Sequence, residues 1–585
     1  MFTFNHWKPL RRLLPSLLKR RWRLALGFCF ILLTDAFVMA TPYLMGRAVD
    51  SLYVSVTSRK LAGYAVGIVV LTLLAGIFRF GMRWLIIGVS RDIEYDLRAG
   101  VFEHLETLPP SFFQENKTGD LMSRATNDLS NVRMLLGPGI MYLANTVVVT
   151  IMSAVFMSSI SWRLAILAFL PLPVITFFVR YFGQRIHFLT EESQSKLAEL
   201  SARVQESMAG VRVVKAFVQE EHEIRDFRRL NDELMERNHA LNRVTAVFFP
   251  MMMCVGGVST VMVLWFGGGE VINGTISNGD FVAFLFFLVR LAWPMISFGW
   301  VVNLLERGRA SMERLNYIFD VESDIADAPD AVMDFEMKGE VEFRELTFGY
   351  NGDAALRNIS LKIPQGSTVA IVGATGSGKT TLVQLIPRLR NAPPGALWID
   401  GVPVEKIPLE SLRRGIGFIP QDTFLFGETI RENIAFGVAD ATEDEIARAA
   451  RISSIDADIQ EFPNGFETVV GERGITLSGG QKQRTAISRA VIRDPRILIL
   501  DDALSSVDTY TEERILNQLE EVMRNRTSIL ISHRVSTVRN ADEIIVLDKG
   551  EIVERGNHDQ LLERDGYYAE LHRRQLLEEE LTVGE

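Results

Sequence analysis

Six apolar stretches in the first half of the chain each approach the ~20 residues that a helix needs to cross the hydrocarbon core of a bilayer. They run over Leu24–Met45, Leu61–Trp84, Pro138–Ile160, Leu164–Phe182, Ala246–Gly269 and Phe281–Leu304. The second half contrasts with them, alternating short apolar strands with polar helices. Two regions with different solvents follow: an all-α bundle of six transmembrane helices, then an α/β domain. An acidic stretch around Pro329, with Glu322, Asp324, Asp327, Asp330 and Asp334, reads as the join. The predicted boundaries are 1–320 for the membrane domain with its extensions, 321–338 for the linker and 339–585 for the second domain.

Six is an even number, so both ends are expected on one side of the membrane. The long connections Ser90–Leu136 and Gly183–Thr245 are rich in Arg and Lys, whereas Glu270–Asp280 has none, which places the long ones and both termini in the cytoplasm. Apolar residues recur at helical spacing among the charges, so the long connections are predicted to extend the membrane helices. The polar tip Gln114–Asp120 is expected to dock on a cytoplasmic domain, with a solvated hairpin as the alternative. Lys8, Arg11, Arg12, Lys19, Arg20, Arg21 and Arg23 precede the first span and suggest a membrane-surface helix rather than a cleaved leader.

Composition removes other classes. The net charge of −10 argues against nucleic acid as a partner, and the two cysteines, Cys29 and Cys254, offer neither a disulfide framework nor metal-ligand spacing. Asp35, Arg79 and Arg83 lie in or near apolar spans, where ionised groups face each other or a wet cavity. An ion pair and a lining for a substrate path both remain open.

The second half carries the chemistry. Gly373-Ala374-Thr375-Gly376-Ser377-Gly378-Lys379-Thr380 follows the strand-like Thr368–Val372 and precedes a helix-like run from Thr381. Glycines let backbone amides turn inward around phosphate oxygens, Lys379 adds a positive charge, and the Thr380 hydroxyl suits Mg²⁺. Further on, the apolar run Ile497–Leu500 ends in Asp501 and Asp502. The first is placed as the magnesium-associated carboxylate and the second as the base for the attacking water. That base is usually glutamate, and an aspartate is one methylene shorter, so nucleotide is expected to bind well here and be hydrolysed slowly.

Leu477-Ser478-Gly479-Gly480-Gln481 stands shortly before that strand. With it the chain resembles the ATP-binding cassette (ABC) family over nearly its whole length. The resemblance implies ATP and Mg²⁺ as ligands, with Ser478, Gly479, Gly480 and Gln481 capping the γ-phosphate held by a second cassette. It implies adenine stacking on Tyr350, nucleotide contacts from Gly373 through Thr380 and from Thr381, and a magnesium contact and coupling role for Gln421. Metal contacts would then come from Thr380, Gln421 and Asp501, and catalytic ones from Asp502 and His533, the latter as the γ-phosphate switch. Ser505–Asp508 would cross the dimer interface, and the loop with Glu472 would touch the partner's coupling helices.

Six spans ahead of one cassette resemble the half-transporters among type IV (formerly type I) exporters. Trp293-Pro294-Met295 and Asn303–Gly308 resemble the bacterial heterodimeric multidrug exporters of the MdlA kind. These likenesses imply an inner-membrane ATP-driven exporter of amphipathic or hydrophobic compounds, surrounded by membrane lipid and paired with a second half-transporter. Asp502 favours a heterodimer in which this chain holds the weak site. A homodimeric lipid flippase and a nucleotide-gated channel are the alternatives.

Overall fold

The computed structural model describes residues 4–54, 57–350, 352–471, 474 and 476–583. They form two compact units, Met1–His104 with Gly119–Asp320, and Leu105–Thr118 with Val321–Glu585.

The first unit is helical. Its long members are α1 (Arg21–Val54), α2 (Ser58–Thr107), α3 (Ile140–Ile160), α4 (Leu172–Ala209), α5 (Glu220–Ile272) and α6 (Asn278–Asp320). Among the described residues, four stretches are long and apolar enough to cross a membrane: Arg21–Tyr53, Ser58–Thr107, Thr118–Ile160 and Glu220–Ile272. On α2, Leu73, Ile77, Phe80 and Trp84 are all exposed, an apolar face of the kind that meets a membrane or a protein partner. The expected spans at Leu164–Phe182 and Phe281–Leu304 fall on the helix Trp162–Phe169 with α4, and on α6. Several side chains there, including Trp293, Pro294 and Met295, lie outside the described residues.

Met39, Met157, Leu164, Phe284, Phe287 and Leu291 interlock in a buried cluster shared by these helices. Asp50, near the end of α1, accepts from Ser277 Oγ at 2.7 Å and from the Gly279 amide at 2.6 Å, which satisfies free donors at the start of α6. The basic N-terminus is used partly within the protein: Arg12 pairs with Asp320 at 2.8 Å, Arg20 with Asp96 at 2.7 Å and Arg23 with Asp92 at 2.5 Å. Arg11, Lys19 and Arg21 stay exposed. Asp35 is buried and its Oδ2 has no hydrogen-bond partner, while Arg79 and Arg83 are exposed. No direct ion pair joins them among the described residues.

The second unit is built on two sheets. The smaller is antiparallel, in the order β2-β1-β4-β5, from β1 (Val341–Tyr350), β2 (Asp353–Ile363), β4 (Leu397–Ile399) and β5 (Val402–Pro403). The larger has the order β10-β9-β3-β8-β7-β6, from β3 (Thr368–Gly373), β6 (Ile416–Ile419), β7 (Ile497–Asp501), β8 (Thr527–Ile531), β9 (Glu543–Asp548) and β10 (Glu551–Gly556). Its pairings are parallel except β9 with β10. Period-two alternation gives it two apolar faces: Ile371, Ile497, Ile499 and Ile529 pack into one core, and Val372, Leu498, Leu500 and Leu530 into the other. A parallel sheet covered on both faces is what such uninterrupted apolar strands form. In this arrangement ligands bind beyond the carboxyl ends of the strands. β3, β6, β7 and β8 all point their carboxyl ends the same way, towards the Gly373 loop, Gln421, Asp501 and His533.

Candidate functional site

β3 ends at Gly373, and the loop to Gly378 leads into α7 (Lys379–Leu385). Two glycines are required by the backbone. Gly373 stands at φ +149°, with room for a Cβ removed by the Leu547 carbonyl at 2.1 Å, and Gly378, the residue before α7, stands at φ +102° with the Ala355 carbonyl at 2.8 Å. Lys379 is buried and folds back, its Nζ donating to the Gly373 and Ala374 carbonyls at 2.8 and 2.9 Å. Burial pushes its ammonium below the usual lysine range, and Asp501 and Asp502 oppose that shift.

Asp501 closes β7 directly opposite. It is 1% exposed, its Oδ1 accepts from Thr380 Oγ1 at 3.1 Å, and its Oδ2 has no partner among the described residues. Burial raises its affinity for a proton, the Thr380 bond lowers it, Asp502 raises it and Lys379 lowers it, for a net rise. The Ser377 hydroxyl is also buried without a partner among the described residues. An inward-turned glycine loop, a lysine, a hydroxyl and two orphaned buried oxygens fit a phosphate chain with its divalent cation.

Asp502 follows in the left-handed region at φ +51°, a conformation that a short Asp adopts more readily than most residues. Its amide donates to the Ile531 carbonyl at 2.9 Å, fixing the turn beside β8. His533, two residues beyond β8, is exposed, and its ring makes no hydrogen bond among the described residues. Gln421 is exposed just past β6 and forms no hydrogen bond to Thr380 or Asp501. The structure therefore joins Thr380 to Asp501 directly and leaves Gln421 apart.

Tyr350 ends β1, with its hydroxyl 3.1 Å from Thr381 Oγ1 and the Arg390 guanidinium 4.6 Å from its ring centre. Arg390 in turn donates to the side-chain oxygen of Gln114, so the expected docking segment meets the aromatic site within the second unit. Nothing in the sequence singled out Arg390.

Ser478 caps α8 (Gly479–Val491) through a reciprocal box: the Gln481 amide donates to Ser478 Oγ at 3.2 Å, and the Ser478 amide to Gln481 Oε1 at 2.9 Å. Asp458, also unremarked in the sequence, accepts from Gln481 Nε2 at 2.8 Å and from Arg484 at 2.7 and 3.0 Å. Gln483 is buried and bonds Ser505 Oγ and the Ser506 amide, stitching this helix to the loop before α9 (Thr509–Met523). No hydrogen bond joins this group to the Gly373 loop among the described residues. Glu472 lies outside the described residues.

Comparison with known proteins agrees in both halves. Residues 24–295 match the ABC transporter transmembrane region, and residues 356–505 match the ABC transporter family. The chain is 36% identical to a probable multidrug resistance ABC transporter, YheI of Bacillus subtilis, over 96% of each protein. It is 36% identical to an ATP-dependent lipid A-core flippase of Syntrophus aciditrophicus, over 98% of this chain and 95% of that one. With the multidrug resistance-like protein MdlA of Escherichia coli it shares 33% identity, over 96% and 95%. A solved bacterial Atm1-family ABC exporter with ATP bound superposes at a TM-score of 0.78 and 29% identity, covering 95% of this chain and 98% of that one.

Proposed function

The chain belongs to the ABC transporter family, as an exporter in which a membrane-spanning helical domain is fused to an ATPase domain, and from that premise we propose that it is the weak-site half of a heterodimer. Its cargo would be an amphipathic or hydrophobic compound moved out of the cytoplasm or the inner leaflet. The cytoplasmic membrane would hold the 1–320 domain, with both termini and the 339–585 domain in the cytoplasm.

The observation that carries this reading is the pairing of Asp502, in place of glutamate, with an intact Ser478–Gln481 cap. A chain with a short base and a complete capping motif is suited to holding ATP in its own site while serving the γ-phosphate of a partner's. Lys379 and the Gly373–Gly378 amides would hold the phosphates, Tyr350 the adenine, and Thr380, Gln421 and Asp501 the magnesium ion. Bound Mg²⁺ neutralises charge that builds on the phosphates. Asp502 would orient water from a carboxylate one methylene further away than glutamate, and His533 would face the γ-phosphate. Two cassettes closing on ATP would draw on the helices that continue into the cytoplasm, among them α2, which runs unbroken into the Leu105–Thr118 segment.

Likeness to a lipid A-core flippase supports a second reading, a homodimer that moves lipid, since identity to it equals that to the multidrug relative. Asp502 separates the two, because a homodimer would carry the short base twice. The test is extraction of the C-terminally tagged chain from its native cells with mass spectrometry of stoichiometric companions. A second half-transporter with glutamate after its strand aspartate is expected. A homodimer with brisk turnover abolished by Asp502→Asn would overturn the reading.

A further inference from the structure

The last helix, α10 (Tyr567–Val583), reaches the switch loop. It is anchored by Tyr568, fully buried, whose hydroxyl lies 2.8 Å from His558 Nδ1. Seven residues on, two turns along the same face, the Gln575 amide spans the loop after β8. Its Nε2 donates to the His533 carbonyl at 2.5 Å and its Oε1 accepts from the Val535 amide at 2.8 Å.

The residue between is held from the other side. Arg534 pairs with the buried Glu512 of α9, which also accepts from Thr537 Oγ1 at 2.6 Å, and the Arg534 amide donates to Ser532 Oγ at 3.0 Å. The His533 ring is exposed with no hydrogen bond of its own among the described residues, so it is through its backbone that the fold holds this residue in place. That backbone is fixed where the Gln575 amide grips it. An amide donates to one end of this loop and accepts from the other; a carboxylate loses the donor, and alanine loses both.

We infer that Gln575 is a positioning residue for His533, through which the C-terminal helix sets the pace of phosphate cleavage at this chain's own site. The inference rests on the reading of His533 as the γ-phosphate contact, and the variants below separate the two.

The full chain, with its co-purified partner in lipid nanodiscs, is compared as Gln575→Ala, Gln575→Glu and His533→Ala, all in an Asp502→Glu background so that a slow site does not mask the effect. The probe is 8-azido-ATP, photo-crosslinked to this chain, with its affinity and its single-turnover conversion to the diphosphate measured separately. Hydrogen exchange of amides 533–538 is read in parallel. Both Gln575 variants are expected to bind the probe within about twofold of the parent and to convert it on the order of tenfold more slowly. Exchange at Val535 should rise in the alanine variant and stay protected in the glutamate variant.

Parent-like conversion in both Gln575 variants, with His533→Ala slow, would overturn the inference. Loss of probe binding together with conversion would also overturn it, by making Gln575 merely structural. If His533→Ala converts at the parent rate, the reading of His533 fails, and so does the claim that Gln575 paces cleavage. Unchanged exchange in Gln575→Ala would show that the grip itself does not hold the loop.

Discussion

Thr380 Oγ1 donates to Asp501 Oδ1 at 3.1 Å, from the first turn of α7 to the last residue of β7, and among the described residues this is the one hydrogen bond by which the phosphate loop and the paired aspartates meet. Removing the hydroxyl leaves a nearly buried carboxylate without its donor, which costs about 1–3 kcal/mol. On the proposed role of Thr380 as a magnesium contact, Thr380→Val also removes a ligand of the ion and should weaken binding of a fluorescent ATP analogue about tenfold in Mg²⁺. In EDTA the two proteins should bind alike, and equal loss under both conditions would argue against a magnesium role.

On the slow-site reading proposed above, Asp502 sets how fast this site turns over. A base within reach of water contributes roughly 10²–10⁴-fold, so Asp502→Glu should speed conversion of ATP crosslinked to this chain by at least about tenfold. Asp502→Asn should leave the turnover of the whole complex nearly unchanged. Brisk wild-type conversion on this chain would refute the slow-site reading.

Tyr350 offers a flat ring whose neighbours are Arg390 and Thr381. Stacking of a base on an aromatic side chain is worth about 1–3 kcal/mol. Tyr350→Ala should raise the Kd for ATP about 10- to 100-fold, and Tyr350→Phe much less, as measured by equilibrium binding of the nucleotide. Equal losses in both would place the effect in the hydroxyl bond to Thr381.

Asp458 gives a pH dependence. Burial raises its affinity for a proton, but the bonds from Gln481 and Arg484 outweigh this and hold its carboxyl below the ordinary 3.8. A depressed acid contributes stability that is present above its unfolded value and lost as pH falls through the folded one. Asp458→Asn should lower the Tm of the ATPase unit by about 2–4 °C at pH 7. The gap should begin to narrow below about pH 4 and close as pH falls through the depressed folded value, where the wild type loses the same charge. A gap that persists into acid would mean that the carboxylate charge is not what holds Gln481 and Arg484.

What the sequence disclosed follows from how local each signal is. Long apolar runs, and short apolar strands set between polar helices, announce themselves within a few residues, so the helical membrane domain and the α/β character of the second half were legible. Gly373–Thr380, Ser478–Gln481 and Asp501-Asp502 were equally so, because glycine geometry and strand-end acids are short-range patterns. Arg390, Asp458 and Gln575 were not, since an ordinary polar side chain acquires a role only from what the fold sets beside it. Gln114 meets Arg390 across 276 positions of chain, and Gln575 meets the carbonyl of His533 across 42. The N-terminal arginines show the same limit in reverse: read as a lipid-facing cluster, some of them find acids on α2 and α6 instead.

Leu105–Thr118 lies inside the first half of the chain, yet it belongs to the second compact unit. The ATPase half is thus discontinuous as a piece of gene. A fragment cut at Val321 would leave Arg390 without Gln114, and a chimera that swaps cassettes between relatives at that point would exchange only part of the structural unit. Grafts that carry both segments from one parent are the ones that keep the unit whole.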